Sequence, residues 1–278
     1  VVNVQRAGPS TGLPTKVEQA DLLQSLYGRN GEAPIPVLAA SCPADAFDCA
    51  VEACRIATEF MTPVILLSDN YIANGTEPWK LPAMDELPEF KVNFATDPEG
   101  FSPYTRNEKL VRNWARPGTK GMEHRIGGLE KDYVTGSVSH DPDNHELMCQ
   151  TRLDKIMNIA DTIPTPEVNG PEKGDLLVVA WGSTYGATRA AVERMQKEGV
   201  AASHLHLRHI FPFPKGLKEI FGNFKKIVVP ELNFGQLARV LTSEYPEFNF
   251  QRHHKVKGKP FQAFQLKLHF ESILEEKS

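Results

Sequence analysis

Val1-Val-Asn-Val-Gln-Arg-Ala-Gly-Pro-Ser-Thr-Gly-Leu-Pro-Thr-Lys-Val-Glu-Gln-Ala20 opens the chain with a β-branched run that stops at an arginine. The run predicts a strand over 1–5, and the cluster of Gly, Pro, Ser and Thr after it predicts a loop. A helix is expected over about 16–27. No acidic side chain occurs before Glu18, whereas Arg6 and Lys16 are both basic. These residues describe a small anion site: a guanidinium, the hydroxyls of Ser10, Thr11 and Thr15, and loop amides. Arginine grips a carboxylate through two parallel N–H bonds. The expected helix N-terminus would add unpaired N–H groups and a positive dipole end.

Outward from this stretch the chain alternates short apolar runs with amphipathic segments. A strand is expected at 36–40, a helix at 43–61 with Pro43 in its first turn, and an apolar strand at 62–68. Apolar strands separated by helices predict a parallel sheet covered on both faces. From about 79 to 171 proline and charge rise and β runs become scarce. One helix is expected there, over 144–159, with Cys149, Leu153, Ile156 and Ala160 on one face. The β/α rhythm then resumes, with strands at 176–181, 204–207 and 226–229. Helices are expected at 184–197, near Leu217, from Gly235, and over 261–276. The fold class is α/β, divided as 1–78, a connecting segment 79–172, and 173–278.

The composition, 41% hydrophobic and 24% charged over 278 residues, is that of a chain able to bury a sizeable core. A net charge of −4 gives no general reason to expect nucleic acid. No apolar run approaches the ~20 residues of a membrane-spanning helix. The cysteines, Cys42, Cys49, Cys54 and Cys149, include no Cys-x-x-Cys pair, so free thiols, no metal or cluster ligation and a cytoplasmic setting are expected. The helix over 43–61 would place Phe47, Ala50, Val51, Cys54, Ala57 and Met61 inward, making Cys54 the core thiol.

Gln5-Arg-x-Gly-Pro-Ser-Thr-Gly-Leu-Pro-Thr15, followed by Gln19 and Asp21, resembles the α subunit of 2-oxoacid:ferredoxin oxidoreductases, above all the 2-oxoglutarate branch. The resemblance continues through Glu123-His124 to Asp132, Asp141-Pro-Asp-Asn-His145 and Pro230-Glu-Leu-Asn-Phe-Gly-Gln236, and so covers nearly the whole chain. It implies a partial thiamine-diphosphate pyrimidine-type domain followed by a transketolase C-terminal-like α/β domain. The family's reaction is CoA-acylating oxidative decarboxylation of a 2-oxoacid, with electrons passed to ferredoxin. By resemblance Arg6 holds the substrate's 1-carboxylate, with Thr11 and Thr15 as further substrate contacts, and the chain contributes no catalytic residue. The family's upstream Tyr-Pro-Ile-Thr-Pro loop and activating glutamate are missing, so the chain reads as the C-terminal portion of a longer subunit. Nor does it carry a Gly-Asp-Gly…Asn diphosphate motif. Thiamine diphosphate and the iron–sulfur cluster are therefore expected on a partner β subunit, in a hetero-oligomer that also meets CoA and ferredoxin. Alone, the chain is expected to be inactive. A pyruvate or branched-chain relative, or a non-catalytic scaffold for the β subunit, remain as alternatives.

Each residue also has a plainer role. Arg6 could be a salt-bridged surface arginine at a strand end. Thr15-Lys-Val-Glu18 fits a capping box. Gly182-Ser-Thr-Tyr-Gly186 lacks dinucleotide-loop spacing, so Ser183 is expected as an N-cap. His124 and His145 are expected in loop hydrogen bonds, and His204 and His206 on one strand face with His209 nearby, in polar packing at an interface. The basic run from His253 to Lys259 reads as a solvated edge. The polar loop from Glu231 to Gln236 follows a strand, where α/β sheets place ligands, but no chemical step attaches to it.

Overall fold

Side chains that alternate along short strands build two sheets with three apolar layers between and around them. The structure, a computed structural model, describes residues 1–275. In chain order its main elements are β1 (Val2–Gln5), α1 (Leu22–Tyr27), β2 (Val37–Ala39), α2 (Pro43–Glu59), β3 (Ile65–Asp69) and α3 (Asn70–Ala73). Then come α4 (Pro142–Met157), β4 (Val168–Asn169), β5 (Gly174–Trp181), α5 (Tyr185–Lys197), β6 (Ala202–Leu207) and β7 (His209–Phe211). The chain finishes with α6 (Leu217–Gly222), β8 (Phe224–Glu231), α7 (Gln236–Glu244), β9 (Phe250–His254) and α8 (Ala263–Glu275). The final residue expected in the last helix, Glu276, lies outside the described residues.

The first sheet has the order β1-β3-β2-β7 and the second β4-β6-β5-β8-β9. β1, β3 and β2 run parallel, as do β6, β5, β8 and β9, while β7 and β4 join antiparallel at edges. Val37, Ala39 and Leu67 face one way and join Leu177, Val179 and Trp181 of the second sheet in a shared core. Leu38, Ala40 and Leu66 face the other way, onto Cys49 and Ile56 of α2, Phe60 just past its end, and Ile156 of α4. Leu176 and Val178 pack under α5 and α8. This period-two division explains why the strands read as continuous apolar runs: both faces are covered. The first sheet takes β7 from beyond residue 200, so the two sheets are not filled by separate stretches of sequence.

Four expectations change. The helix over 16–27 shrinks to α1, because residues 16–21 are claimed by contacts elsewhere. The Gln19 backbone donates to Leu232 O (3.1 Å) and the Leu232 backbone to Gln19 Oε1 (2.9 Å), which a helix there could not supply. Cys49, not Cys54, is the buried thiol of α2, and Cys54 is exposed. Asp45 sets that rotation, since it faces inward to pair with Arg208 and with Ser41. On α4 the buried residues are Met148, Thr151 and Ile156, while Leu153 is 39% exposed and Cys149 half-buried. That helix turns Met148 toward Arg106 and Lys155 toward Met61 O. His253 and His254 belong to β9, an edge strand paired with β8 that the basic composition concealed.

Ion pairs pin the 208–211 crossing onto α2. Glu52 faces Arg55 (2.7 Å) and His209 (3.1 Å). Desolvation raises its pKa, but Arg55 and His209 outweigh it and hold the carboxyl at about 2, below its ordinary 4.5. A depressed pKa means stability that is present above the unfolded value and lost as pH falls toward the folded one. Glu52→Gln is expected to cost about 1–3 kcal/mol at pH 7. In urea unfolding the gap from wild type should close between about pH 4.5 and 2. A gap that does not change over that window would contradict this pairing.

Candidate anion site at the strand ends

β1 delivers its last residues to the C-terminal edge of a parallel sheet, where open α/β sheets bind ligands. Gln5 turns inward: its Nε2 donates to Ser68 O (3.1 Å) and its Oε1 accepts from the Asp21 backbone (3.0 Å). Arg6, one residue on, points the other way and is exposed. Among the described residues it has no hydrogen-bond or ion-pair partner, so the salt-bridged alternative does not hold.

The loop after Arg6 closes on itself. The Ala7 backbone donates to Lys16 O (3.0 Å), Leu13 to Ala7 O (3.0 Å) and Lys16 to Leu13 O (3.2 Å). At Gly12, φ is +52° and a Cβ would sit 2.1 Å from Ala7 O, so only glycine closes this turn. Ser10 (φ +56°) and Thr15 (φ +64°) also take left-handed backbone, which costs a non-glycine residue roughly 1–2 kcal/mol. Thr15 is therefore not a helix cap: α1 starts at Leu22, and its flanking residue Asp21 makes no side-chain capping bond. The helix N-terminus expected beside the anion is absent as well. Thr11 and Thr15 are exposed on the same loop as Arg6, Thr11 near the tip and Thr15 beside the paired base.

Glu18, the loop's nearest carboxylate, is 7% exposed and turned under the loop. Burial pushes its pKa up, while the backbone amides of Gly8 and Gly258 oppose that rise. Folded under the loop, its carboxylate is not accessible on the outer face. Gly258 packs so tightly that a Cβ there would lie 2.9 Å from Lys16 Cβ. That contact brings the turn carrying Lys255, Lys257 and Lys259 against the loop. This basic turn, read from sequence as solvated edge, thus packs beside the loop. Nothing local in the sequence could have signalled the contact, which joins residues about 240 positions apart.

The Glu231–Gln236 loop holds this arrangement in place. Glu231 is fully buried and accepts from Trp181 Nε1 (3.1 Å), Asn233 Nδ2 (3.1 Å) and the Leu237 (2.7 Å) and Ala238 (3.1 Å) backbones. Burial raises its pKa, against those donors. The last two donors are first-turn amides of α7, so Glu231 supplies the cap that Gly235 cannot. Asn233 Nδ2 donates to Gln19 O (2.8 Å), Gln236 Nε2 to Ala20 O (2.8 Å), and Gln19 Nε2 to Trp181 O (2.8 Å). Ser183 does not cap α5; its hydroxyl donates to Asp69, at the end of β3. Burial pushes the Asp69 carboxyl up, while Ser183 and the Ile72 and Tyr71 amides pull it down. The C-terminal ends of both sheets thus meet through residues 17–23 and the Asp69–Ser183 bond.

The remaining histidines stay apart from the loop. His145 Nδ1 lies 2.6 Å from Glu130 Oε2, and His124 Nδ1 2.8 Å from Met122 O. His204 and His206 share one strand face, as expected, with ring centroids 6.0 Å apart beside Tyr185. Burial lowers both to about 3, which keeps them neutral. His209 is buried against Glu52. Among the described residues no group of His, Cys, Asp and Glu is arranged to hold a metal ion.

Residues 1–141 match the family described as pyruvate flavodoxin/ferredoxin oxidoreductase, thiamine-diphosphate-binding. Residues 174–258 match pyruvate:ferredoxin oxidoreductase core domain II. The chain is 52% identical over 265 residues to the 2-oxoglutarate oxidoreductase subunit KorA of Mycobacterium tuberculosis, covering 95% of this chain and 40% of that one. It is 34% identical to the α subunit of 2-oxoacid:ferredoxin oxidoreductase 2 of Aeropyrum pernix, over 97% of this chain and 43% of that one. A solved 2-oxoglutarate:ferredoxin oxidoreductase from Magnetococcus marinus, with 2-oxoglutarate, coenzyme A and succinyl-CoA bound, superposes with a TM-score of 0.90 at 31% identity. That superposition covers 98% of this chain and 48% of the other. The chain thus spans less than half the length of each of these three relatives.

Proposed function

We propose, since the chain belongs to the 2-oxoacid:ferredoxin oxidoreductase α-subunit family, that it supplies the substrate-carboxylate site of such an enzyme. The observation that carries this reading is Arg6: exposed and unpaired among the described residues, at the C-terminal end of a parallel strand. Arg6 takes the carboxylate through both guanidinium N–H edges, and the Thr11 and Thr15 hydroxyls donate to its remaining lone pairs. The contribution is orientation of the 2-oxoacid, not proton transfer. The whole enzyme's reaction, on this reading, takes 2-oxoglutarate and CoA to an acyl-CoA and carbon dioxide, with the electrons passing to ferredoxin.

Thiamine diphosphate supplies the electron sink for decarboxylation in this family. Residues at these strand ends do not fit its diphosphate and accompanying metal ion. Asp45 is spent on Arg208 and Ser41, and Asp69 on Ser183 and the Tyr71 and Ile72 amides. We therefore assign the cofactor's diphosphate and the iron–sulfur cluster to a β-subunit partner. An α/β assembly is supported by β1, whose outer edge is unpaired among the described residues and whose Val2 and Val4 are 64% and 46% exposed. Residues 1–78 then form the pyrimidine-type unit, 173–278 the transketolase C-terminal-like unit, and 79–172 the connection, with β7 crossing between them. No described helix is long and apolar enough to cross a membrane, and the cysteines are free; we place the enzyme in the cytoplasm.

Assay of the complete subunit, with and without its β partner, against 2-oxoglutarate, pyruvate and branched-chain 2-oxoacids tests this. Ferredoxin reduction with 2-oxoglutarate is expected only when both subunits are present. Turnover by the α chain alone would overturn the assignment of cofactors to the partner. A higher kcat/KM for pyruvate would overturn the 2-oxoglutarate reading.

A further inference from the structure

We propose that a cavity far along the chain from Arg6, walled by Arg106, Arg112, Lys131, Arg152 and Lys155, binds a small phosphate-bearing anion. The cavity holds about 450 Å³, within the range of small-molecule sites. Its walls come from Met61 just past α2, the irregular 104–131 stretch and α4. Among the described residues Glu130 is the only carboxylate in its lining, and it is engaged by His145 (2.6 Å) and Arg152 (3.4 Å).

Arg152 meets Glu130, but among the described residues Arg106, Arg112, Lys131 and Lys155 pair with no carboxylate, unlike other arginines in the chain. Arg55, Arg189 and Arg208 each meet a carboxylate. Arg106 instead donates to Tyr104 O (2.9 Å) and Tyr133 O (2.7 Å), with its guanidinium 4.3 Å from the Tyr133 ring centre. Arg112 donates to Pro103 O (3.3 Å) and lies 4.5 Å from the Tyr104 ring centre. Lys155 Nζ donates to Met61 O (3.1 Å), and Lys131, 2% exposed, to Gly127 O (3.1 Å) and Leu129 O. Neutral carbonyls and rings fix these heads in place but leave their charge uncompensated. Burial, with Arg112, Arg106 and Arg152 nearby, brings Lys155 down to about 8, the mark of clustered like charge. Lys131 is buried and the other four are half-buried, and clustered, partly desolvated cations are unfavourable unless an anion joins them. One carboxylate would neutralise only one of them. A phosphate or diphosphate carries several charges and accepts from arginine forks and lysine heads together.

The test uses the full-length protein with its partner, saturated with thiamine diphosphate so that a diphosphate site elsewhere is filled. Inorganic phosphate, pyrophosphate and ADP are titrated calorimetrically at constant ionic strength in chloride. Arg112→Gln, Arg152→Gln and Lys155→Gln are compared with wild type. Pyrophosphate or ADP is expected to bind wild type and to weaken roughly tenfold or more in each variant. ADP binding better than pyrophosphate points to a nucleotide, and equal binding to the phosphates alone; either supports the site. Arg152 is 39% exposed, so its variant remains informative if a buried one fails to fold. No binding by wild type, or binding unchanged in the variants, overturns the proposal. So does loss of the partner subunit from the variants without any anion binding, which would make the cavity a protein interface.

Discussion

Arg6→Ala, placed in the complete subunit and assembled with its β partner, is expected to lose most activity while the assembly still forms. Among the described residues the Arg6 side chain has no hydrogen-bond or ion-pair partner, so its removal should leave folding untouched. What is lost is a charge-assisted bidentate grip, on the order of 2–5 kcal/mol once the pair is desolvated. That corresponds to roughly 30-fold to several-thousand-fold in kcat/KM. Arg6→Lys should recover only part, because a lysine head has no planar fork. Thr15→Ala is expected to cost little stability. The threonine caps no helix and holds left-handed backbone at φ +64°, so Thr15→Gly should stabilise. An Arg6→Ala enzyme within about threefold of wild type across 2-oxoacids would end the anion-site reading of this loop.

Glu231→Ala should destabilise more than Glu52→Gln or the Arg6 and Thr15 substitutions, by about 3–5 kcal/mol in urea unfolding. It strands four buried donors at once: the Trp181 indole, the Asn233 amide and two first-turn amides of α7. Glu231→Gln keeps one acceptor oxygen but turns an NH₂ toward those donors, so about 1–3 kcal/mol is expected. The damage should also reach the substrate loop. Asn233 and Gln236 hold the backbone at Gln19 and Ala20, just after Glu18. Hydrogen exchange at residues 17–23 should therefore rise in Glu231→Ala relative to the second sheet's interior. A loss below about 1 kcal/mol would mean that water satisfies the stranded donors.

Most strands and the larger helices were legible because both of their determinants are local. α2 and α5 follow apolar spacing, and β3 and β5 are apolar runs buried on both faces. What failed was rotation and partnership. The inner face of α2 could be drawn through Cys54 or Cys49 with similar apolar content, and only the Asp45–Arg208 pair decides between them. β7 and β4 have three and two residues, too few to show a period. β9 carries Arg252, His253 and His254, and is a strand because β8 offers it an edge.

The candidate site divides in the same way. By itself the sequence determined that Arg6 ends a strand beside a hydroxyl-rich, acid-free loop, because strand, arginine and turn residues are contiguous. It also marked the Glu231–Gln236 motif without saying what that motif does. Tertiary structure alone decided that this motif is a clasp, that Glu18 is folded under the loop, and that residues 16–21 stay out of a helix. It alone brought the turn at Gly258 against Lys16, and gathered Arg106, Arg112, Lys131, Arg152 and Lys155 around one cavity. The physical reason is one of range. Backbone preference acts over a few residues, whereas buried donors and clustered charges are satisfied by whichever groups the packed sheets bring within about 3 Å, however distant in the chain.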